Sequence, residues 1–372
     1  MVAAAFFLAL IITPFWARVM QKYRLGKQMR SAEHAPVFNG LHKNKEGTPT
    51  TGGVIIWLTV VLLILIFFFL SRIIDGPWSK FNFLERGQTY LPLAALVIAG
   101  VLGFADDIFG VFKIGPRGGG LTMKMRIALY IIVAAGGAWW FYFKLCKHTI
   151  NIPFLGDYNL GWVYIPLFIF VLVSSAFSAN ETDGLDGLAG GVFLTMFAAY
   201  GAIAFDQGWM HMVTFISVII GALLAFLWHN IYPARFFMGD TGSMSLGIVI
   251  GVIAMLTRTP FLMIPIGVIF VSESASVIIQ MVSKRFWGKK FFLSAPFHHH
   301  FEAKGWHETR VTMRFWMISA VGAIIGVVIF LADSKIAPLN GRHNIADGCP
   351  VVFEPTPVLQ PGRTLVADTR RE

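Results

Sequence analysis

Charge is what this chain has least of. Only 13% of its 372 residues are charged, against about a quarter in a soluble domain. Hydrophobic residues make up 56% and the mean hydropathy is +0.67. That balance excludes an ordinary soluble fold. Cysteine is almost missing as well: Cys146 and Cys349 are the only two, so neither a disulfide framework nor a CxxC metal site is available. The sequence also shows no internal repeat and no soluble domain. A cleavable leader is not expected either, because the first apolar run ends in the basic Arg18–Arg30 region rather than at a small-residue cleavage site.

What the chain has is apolar runs long enough to cross a bilayer, which takes about 20 helical residues. They fall near 3–20, 52–71, 90–108, 127–143, 161–179, 188–205, 212–231, 244–257, 261–283 and 312–332, the 244–257 run being short for a full crossing. The expected fold class is an all-α polytopic membrane protein of about ten transmembrane helices. Residues 1–332 form one membrane domain, and 333–372 a polar, Pro- and Gly-containing tail that reads as flexible, extracytoplasmic and non-catalytic. Ten spans put both termini on one side. Lysine and arginine then choose the side: the first connection alone holds Lys22, Arg24, Lys27, Arg30, Lys43 and Lys45, the second only Arg72, Lys80 and Arg86. The same bias runs through the later connections, so the odd-numbered ones are expected in the cytoplasm and both termini outside. The net charge of +10 therefore reads as a topology and lipid signal, not as nucleic-acid affinity. Both cysteines fall outside, where a disulfide is allowed. The even connections are short and undistinguished.

The odd connections carry clustered polar residues. The fifth, Asn180–Leu188, packs Glu181, Asp183 and Asp186 between two apolar spans, with glycine after each aspartate. Glycine lets the backbone turn tightly and approach a ligand, and the carboxylates suit Mg²⁺ or substrate hydroxyl and N–H groups. An ordinary solvated acidic turn is the alternative. In the first, Lys45 precedes the Gly- and Thr-rich Gly47–Gly53 turn at a helix start, which suits phosphate; a basic topology loop would look the same. The third opens with Asp106 and Asp107 at a span end, adjacent acids that repel unless a cation or substrate stabilises them, or else a plain helix-end pair. It continues through Lys113 into the glycine-rich 115–120 stretch. The seventh ends in Gly239-Asp240-Thr241-Gly242-Ser243. Here a carboxylate is expected beside free helix N-terminal amides, an arrangement for metal-bound phosphate, with a simple N-cap as the alternative. The ninth holds His298, His299 and His300. Neighbouring helical side chains point about 100° apart, so substrate contacts are favoured over zinc. Together these groups are an inventory for Mg²⁺-assisted phosphoryl transfer with one substrate from the bilayer and one from the cytosol.

The segments Gly47–Gly53, Asp106-Asp107, Asn180–Ala189, Phe237–Ser243 and Pro296–Glu302 resemble, in order, the motifs of polyprenyl-phosphate N-acetylhexosamine-1-phosphate transferases, from about residue 10 to 332. The triple histidine followed by an aromatic residue and Glu302 is the feature of the phospho-N-acetylmuramoyl-pentapeptide branch. The resemblance implies a bacterial inner-membrane enzyme that uses UDP-N-acetylmuramoyl-pentapeptide, undecaprenyl phosphate and Mg²⁺ to make lipid I and UMP for peptidoglycan. It also allows a homodimer. By position it implies Asp240 as metal ligand. Asp106 and Asp107 match the paired aspartates, one proposed to deprotonate the lipid phosphate or, in an older scheme, to attack the diphosphate. Lys45 matches the lysine near the phosphates and His298 the first of the histidine motif. Substrate contacts are implied for Thr50, Arg126, Asn180, Asp183, Gly184, Leu185, Asp186, Asn230, Phe237, His299 and His300.

Two positions depart from the family pattern. Gly110 stands where lysine is frequent, and Arg126 where lysine is usual, keeping the charge but changing its geometry; Lys113 or Lys124 are candidates for the missing cation. The closest rival reading is a GlcNAc-1-phosphate transferase of the same superfamily, which the 298–302 motif argues against. An ion-coupled transporter is the rival from another class, disfavoured because the acids sit at one membrane face rather than at the midplane.

Overall fold

The computed structural model describes residues 1–26, 45, 47–73, 87–116 and 119–336. Cys349, the basic stretch 27–44 and most of the expected tail lie outside the described residues.

Helices dominate: α1 (Val2–Lys22), α2 (Gly53–Ile73), α3 (Gly87–Val111), α4 (Met123–Trp139), α5 (Tyr164–Thr182), α6 (Leu188–Asp206), α7 (Met210–Asn230) and α8 (Gly239–Leu256). Each matches a predicted span, because an apolar run that cannot hydrogen-bond to lipid must close its backbone bonds internally. The ninth expected span is not one helix. It is a short piece, Pro260–Ile266 (α9), followed by Val268–Trp287 (α10), bent by 88°. The break falls at Gly267, two residues after Pro265, where a missing amide and a flexible residue coincide. Gly322 and Gly326 of the last long helix, α12 (Glu308–Ile336), accept the bent segment, since a side chain at either would meet Pro265 or Ile266. A short α11 (Phe297–Ala303) precedes α12. Among the described residues nine helices are long and apolar enough to cross a membrane, ten if the bent pair is one span. The protein is a multi-pass membrane protein.

The short eighth span turns out to be the centre. α8 starts at Gly239, earlier than expected, and 89% of its most apolar window is buried, against 17% for α1. It is wrapped by α3, α5 and α2 rather than by lipid. Small residues permit this, as is usual where helices meet within membranes. A side chain at Gly103 would run into the Asp240 backbone, and one at Gly53 into Gly242. Gly247 packs on Ala179 and Ala176 in the same way. These contacts bring the end of α3 and the start of α8 together, and that is what assembles the polar end described below.

Two sequence readings change. The fourth connection is not featureless: Thr149–Ile152 (β1) and Gly156–Asn159 (β2) form an antiparallel hairpin, so the fold is helical with one small β element. The hairpin reaches across to Arg258, whose carbonyl accepts the Asn151 amide at 2.9 Å. And α12 continues to Ile336, past the expected boundary at 332, with Asp333 accepting the Phe154 amide at 2.9 Å.

Candidate active site

Residues from five odd-numbered connections and their flanking helix ends are joined by hydrogen bonds and ion pairs. Asp106, one turn before the end of α3 and buried, accepts the Leu121 amide at 2.6 Å. Its other oxygen lies 2.7 Å from Arg126 Nε, an ion pair whose N–H is not aligned as a hydrogen bond. Arg126, from the first turn of α4, reaches onward. Its Nη2 is 2.7 Å from Asp240 Oδ2 and its Nη1 donates to Asn180 Oδ1 at 3.3 Å. The Asn180 amide nitrogen donates back to Asp240. Two carboxylates and an amide oxygen from α3, α8 and α5 thus converge on one guanidinium.

Asp107 faces the other way. Its two oxygens accept the amides of Asp240 and Thr241, each at 3.0 Å, and Thr50 Oγ lies 3.5 Å from it. Asp183 accepts the remaining Gly239 amide at 3.1 Å. The amides at the start of α8 are therefore not free for a ligand, as the sequence led one to expect: Asp107 and Asp183 hold them, satisfying donors that a helix start leaves open. Gly239 has φ of +73°, and a side chain there would collide with Asp107 and Thr50, so the tight entry into α8 needs glycine. Asp240 is not an N-cap; it sits in the first turn with its carboxylate toward Arg126.

A second cluster lies beside the first. Lys45 Nζ is 2.6 Å from Asp186 Oδ1 and 2.5 Å from Glu308 Oε1. The Asp186 amide donates to that same Glu308 oxygen at 2.6 Å, and Asp186 Oδ2 accepts the Ala234 amide at 3.0 Å. The rings of Tyr232 and Phe237 stand 5.9 and 5.8 Å from the Lys45 ammonium, within cation–π range. Asn230 is spent on the scaffold: its oxygen accepts the Gly187 amide at 3.1 Å and its nitrogen donates to the Phe236 carbonyl at 2.8 Å. Leu185 is buried in the core.

The three histidines go to three different places. His298 is fully buried, its Nδ1 3.0 Å from Glu273 of α10, its ring against Gly184, where any side chain would collide. His299 Nδ1 pairs with Glu302 at 2.6 Å. His300 accepts the Leu293 amide at 3.2 Å and stacks on Phe297. Burial alone would lower the His298 pKa, but the Glu273 carboxylate and its contact outweigh it, and the pKa is raised above 6.5.

The donor set suits Mg²⁺. Asp106, Asp240 and Asn180 present hard oxygen atoms already gathered around a cationic group. Among the described residues no three acids, histidines or cysteines form a cage, and Mg²⁺ is usually held by one or two carboxylates plus phosphate and water.

Sequence reasoning did not single out Glu273, Glu308, Trp57 or Trp316. Glu273 carried a signal, an acid inside an apolar span. Glu308 looked like a first-turn acid of the last helix. Trp57 donates to Thr241 Oγ at 3.2 Å and Trp316 to the Gly187 carbonyl at 3.1 Å; nothing local marked either. Gly110 points a missing side chain at open space, and Arg126 is the basic residue found on Asp106 and Asp240 among the described residues. Arg117 and Gly118 of the glycine-rich loop lie outside them.

Fold and site together define a polytopic helical membrane protein with acids and their cations gathered where its spans end. The family model for glycosyl transferase family 4 matches residues 89–258. Proteins named phospho-N-acetylmuramoyl-pentapeptide-transferase match over nearly their whole length. That of Geobacillus thermodenitrificans is 35% identical over 330 residues, 88% of this chain and 96% of the relative. Those of Listeria monocytogenes and Anoxybacillus flavithermus are 37% identical, covering 88% and 87% of this chain and 97% and 95% of their own. The chain belongs to the phospho-N-acetylmuramoyl-pentapeptide-transferase family.

Proposed function

We propose that this protein transfers phospho-N-acetylmuramoyl-pentapeptide from its UDP conjugate to undecaprenyl phosphate, giving lipid I and UMP. The observation that carries the reading is the near end-to-end match to transferases of that name, and the convergence of Asp106, Asp240, Asn180 and Arg126 supports it. Asp240, with Asp106 and the Asn180 oxygen, would hold Mg²⁺, which when bound neutralises charge on the diphosphate. The clustering of lysine and arginine in odd connections supports a cytoplasmic site with both termini outside, and the bacterial relatives support residence in a bacterial inner membrane.

Direct attack fits the geometry better than a covalent aspartyl step. Both oxygens of Asp107 accept α8 amides, while those of Asp106 are taken by Leu121 and Arg126. Neither carboxylate is poised as a nucleophile. In the proposed reaction an oxygen of the ionised lipid phosphate attacks the sugar-linked phosphorus and the bond to the UMP oxygen breaks. Lys45 with Tyr232 and Phe237 offers an ammonium and two rings to the nucleotide portion, beside Asp183, Gly184 and Asp186. Asn230 shapes that pocket through Gly187 and Phe236 rather than by touching substrate. His298 supports the loop at Gly184, while His299 pairs with Glu302 and His300 packs on Phe297.

The test is UMP release by the purified protein in detergent. Release that requires both substrates, stops with EDTA and returns with Mg²⁺ is expected. Release without the lipid phosphate, or a phosphate ester trapped on Asp106 or Asp107, contradicts the scheme.

A further inference from the structure

Arg126 makes contacts that a phosphate-binding cation has no need of. It is held by three oxygen atoms from three helices: Asp106 Oδ2 and Asp240 Oδ2 at 2.7 Å and Asn180 Oδ1 at 3.3 Å. These are the same atoms that suit a hard divalent ion. A guanidinium and a divalent cation drawn to the same pair of Oδ2 atoms repel each other and compete for them. The planar fork is what lets one side chain span two carboxylates on different helices; an ammonium is a point charge and cannot hold that geometry. The Nε–H is not aligned on Asp106, so this arm of the bridge is held by charge more than by a directed bond, and it is the arm that yields first.

We propose that Arg126 is a built-in counter-ion for the metal ligands, so that the Arg126 bridge and divalent-cation binding are mutually exclusive. Loading the metal then hands Asp106 and Asp240 from the guanidinium to the ion. It frees Arg126 for an incoming phosphate. The inference rests on the metal-assisted phosphoryl-transfer reading but concerns an exchange of partners, which can be measured without turnover.

The probe is Mn²⁺ added to the full chain in detergent, with free Mn²⁺ read by electron paramagnetic resonance. Arg126→Lys keeps the charge and removes the fork. Mutual exclusion predicts that it binds Mn²⁺ about tenfold more tightly than the unaltered protein, the equivalent of one charge-assisted contact no longer to be broken. Arg126→Gln should bind at least as tightly, and Asp240→Asn added to either should abolish the gain. Equal affinity in Arg126→Lys and the unaltered chain, with only Arg126→Gln tighter, would mean that Arg126 acts by long-range charge alone and overturns the proposal. So does no Mn²⁺ binding in any variant. A second measurement needs no mutation: phenylglyoxal labelling of Arg126, read by mass spectrometry, should speed up when Mn²⁺ is added. Unchanged or slower labelling contradicts the exchange. If the unaltered chain releases UMP while these results fail, the exchange is wrong and the reaction stands; if UMP release fails while they hold, the fault lies with the reaction.

Discussion

The hairpin end and the acid-rich end of this molecule use similar residues to opposite purposes. At the hairpin, Asp333 takes one backbone amide, Asn151 bonds to Asp157 at 3.0 Å, and Asp157 lies 3.7 Å from Arg258. These local pairs tie β1, β2 and the last helix together. At the other end two cations are each shared between two carboxylates: Arg126 between Asp106 and Asp240, Lys45 between Asp186 and Glu308. Acids in excess of cations beside a bilayer are costly unless a ligand completes them. On the proposed function, the contrast separates groups that hold the fold from groups that would meet a substrate, and it even divides neighbours. Asp107 belongs functionally with the bracing groups, since it closes the start of α8, while Asp106 belongs with the others.

Substitutions can break that division or sharpen it. The largest effect is expected for Asp240→Asn, with UMP release reduced about 10²- to 10³-fold, the scale of losing a preorganised electrostatic group, in protein that remains folded. Near-normal release at saturating Mg²⁺ would erase the distinction. Asp107→Asn should lose turnover and also about 1–2 kcal/mol of stability, because an anion capping two amides is weakened; Asp106→Asn should leave the midpoint much closer to the unaltered protein. Asp333→Ala, at the opposite end, should lower the midpoint by the equivalent of about 0.5–1.5 kcal/mol, the loss of one part-buried hydrogen bond, with UMP release at 25 °C intact. A loss of release there would show that the two ends are coupled.

The smallest effect is a pH dependence. His298 is buried, which disfavours its charge, but Glu273 outweighs this and raises the pKa above 6.5. Such a group contributes stability in full below about pH 6.5 and loses it as pH rises through the raised value. Melting midpoints should therefore fall as pH climbs from 6 upward, and His298→Gln should flatten that slope. The same slope in the variant would remove His298 from the account.

Much of this was legible in the sequence, for identifiable reasons. Apolar runs declare spans because the bilayer allows few alternatives, and the span count with its Lys and Arg bias put Asp106, Asn180, Asp186, Asp240 and His298 on one expected face. The rest depends on rotation and distance. Which of two adjacent aspartates turns toward α8 is set by about 100° of helix phase, invisible without the partner helix. The double grip of Arg126 joins residues far apart in the chain. The break at Gly267 had its signal in Pro265, yet proline is tolerated in membrane helices, as Pro14 and Pro92 are in α1 and α3. Hairpin strands as short as Thr149–Ile152 carry too few residues for a period to show.

The most direct test of the central claim compares donors. Purified protein with Mg²⁺ and undecaprenyl phosphate is given UDP-N-acetylmuramoyl-pentapeptide in one reaction and UDP-GlcNAc in another, and UMP is measured. Release with the muramoyl donor alone is the predicted result, and it would make Gly110 and Arg126 variations that the reaction tolerates. Release with UDP-GlcNAc instead, or with neither donor in protein shown to be folded, would contradict the account.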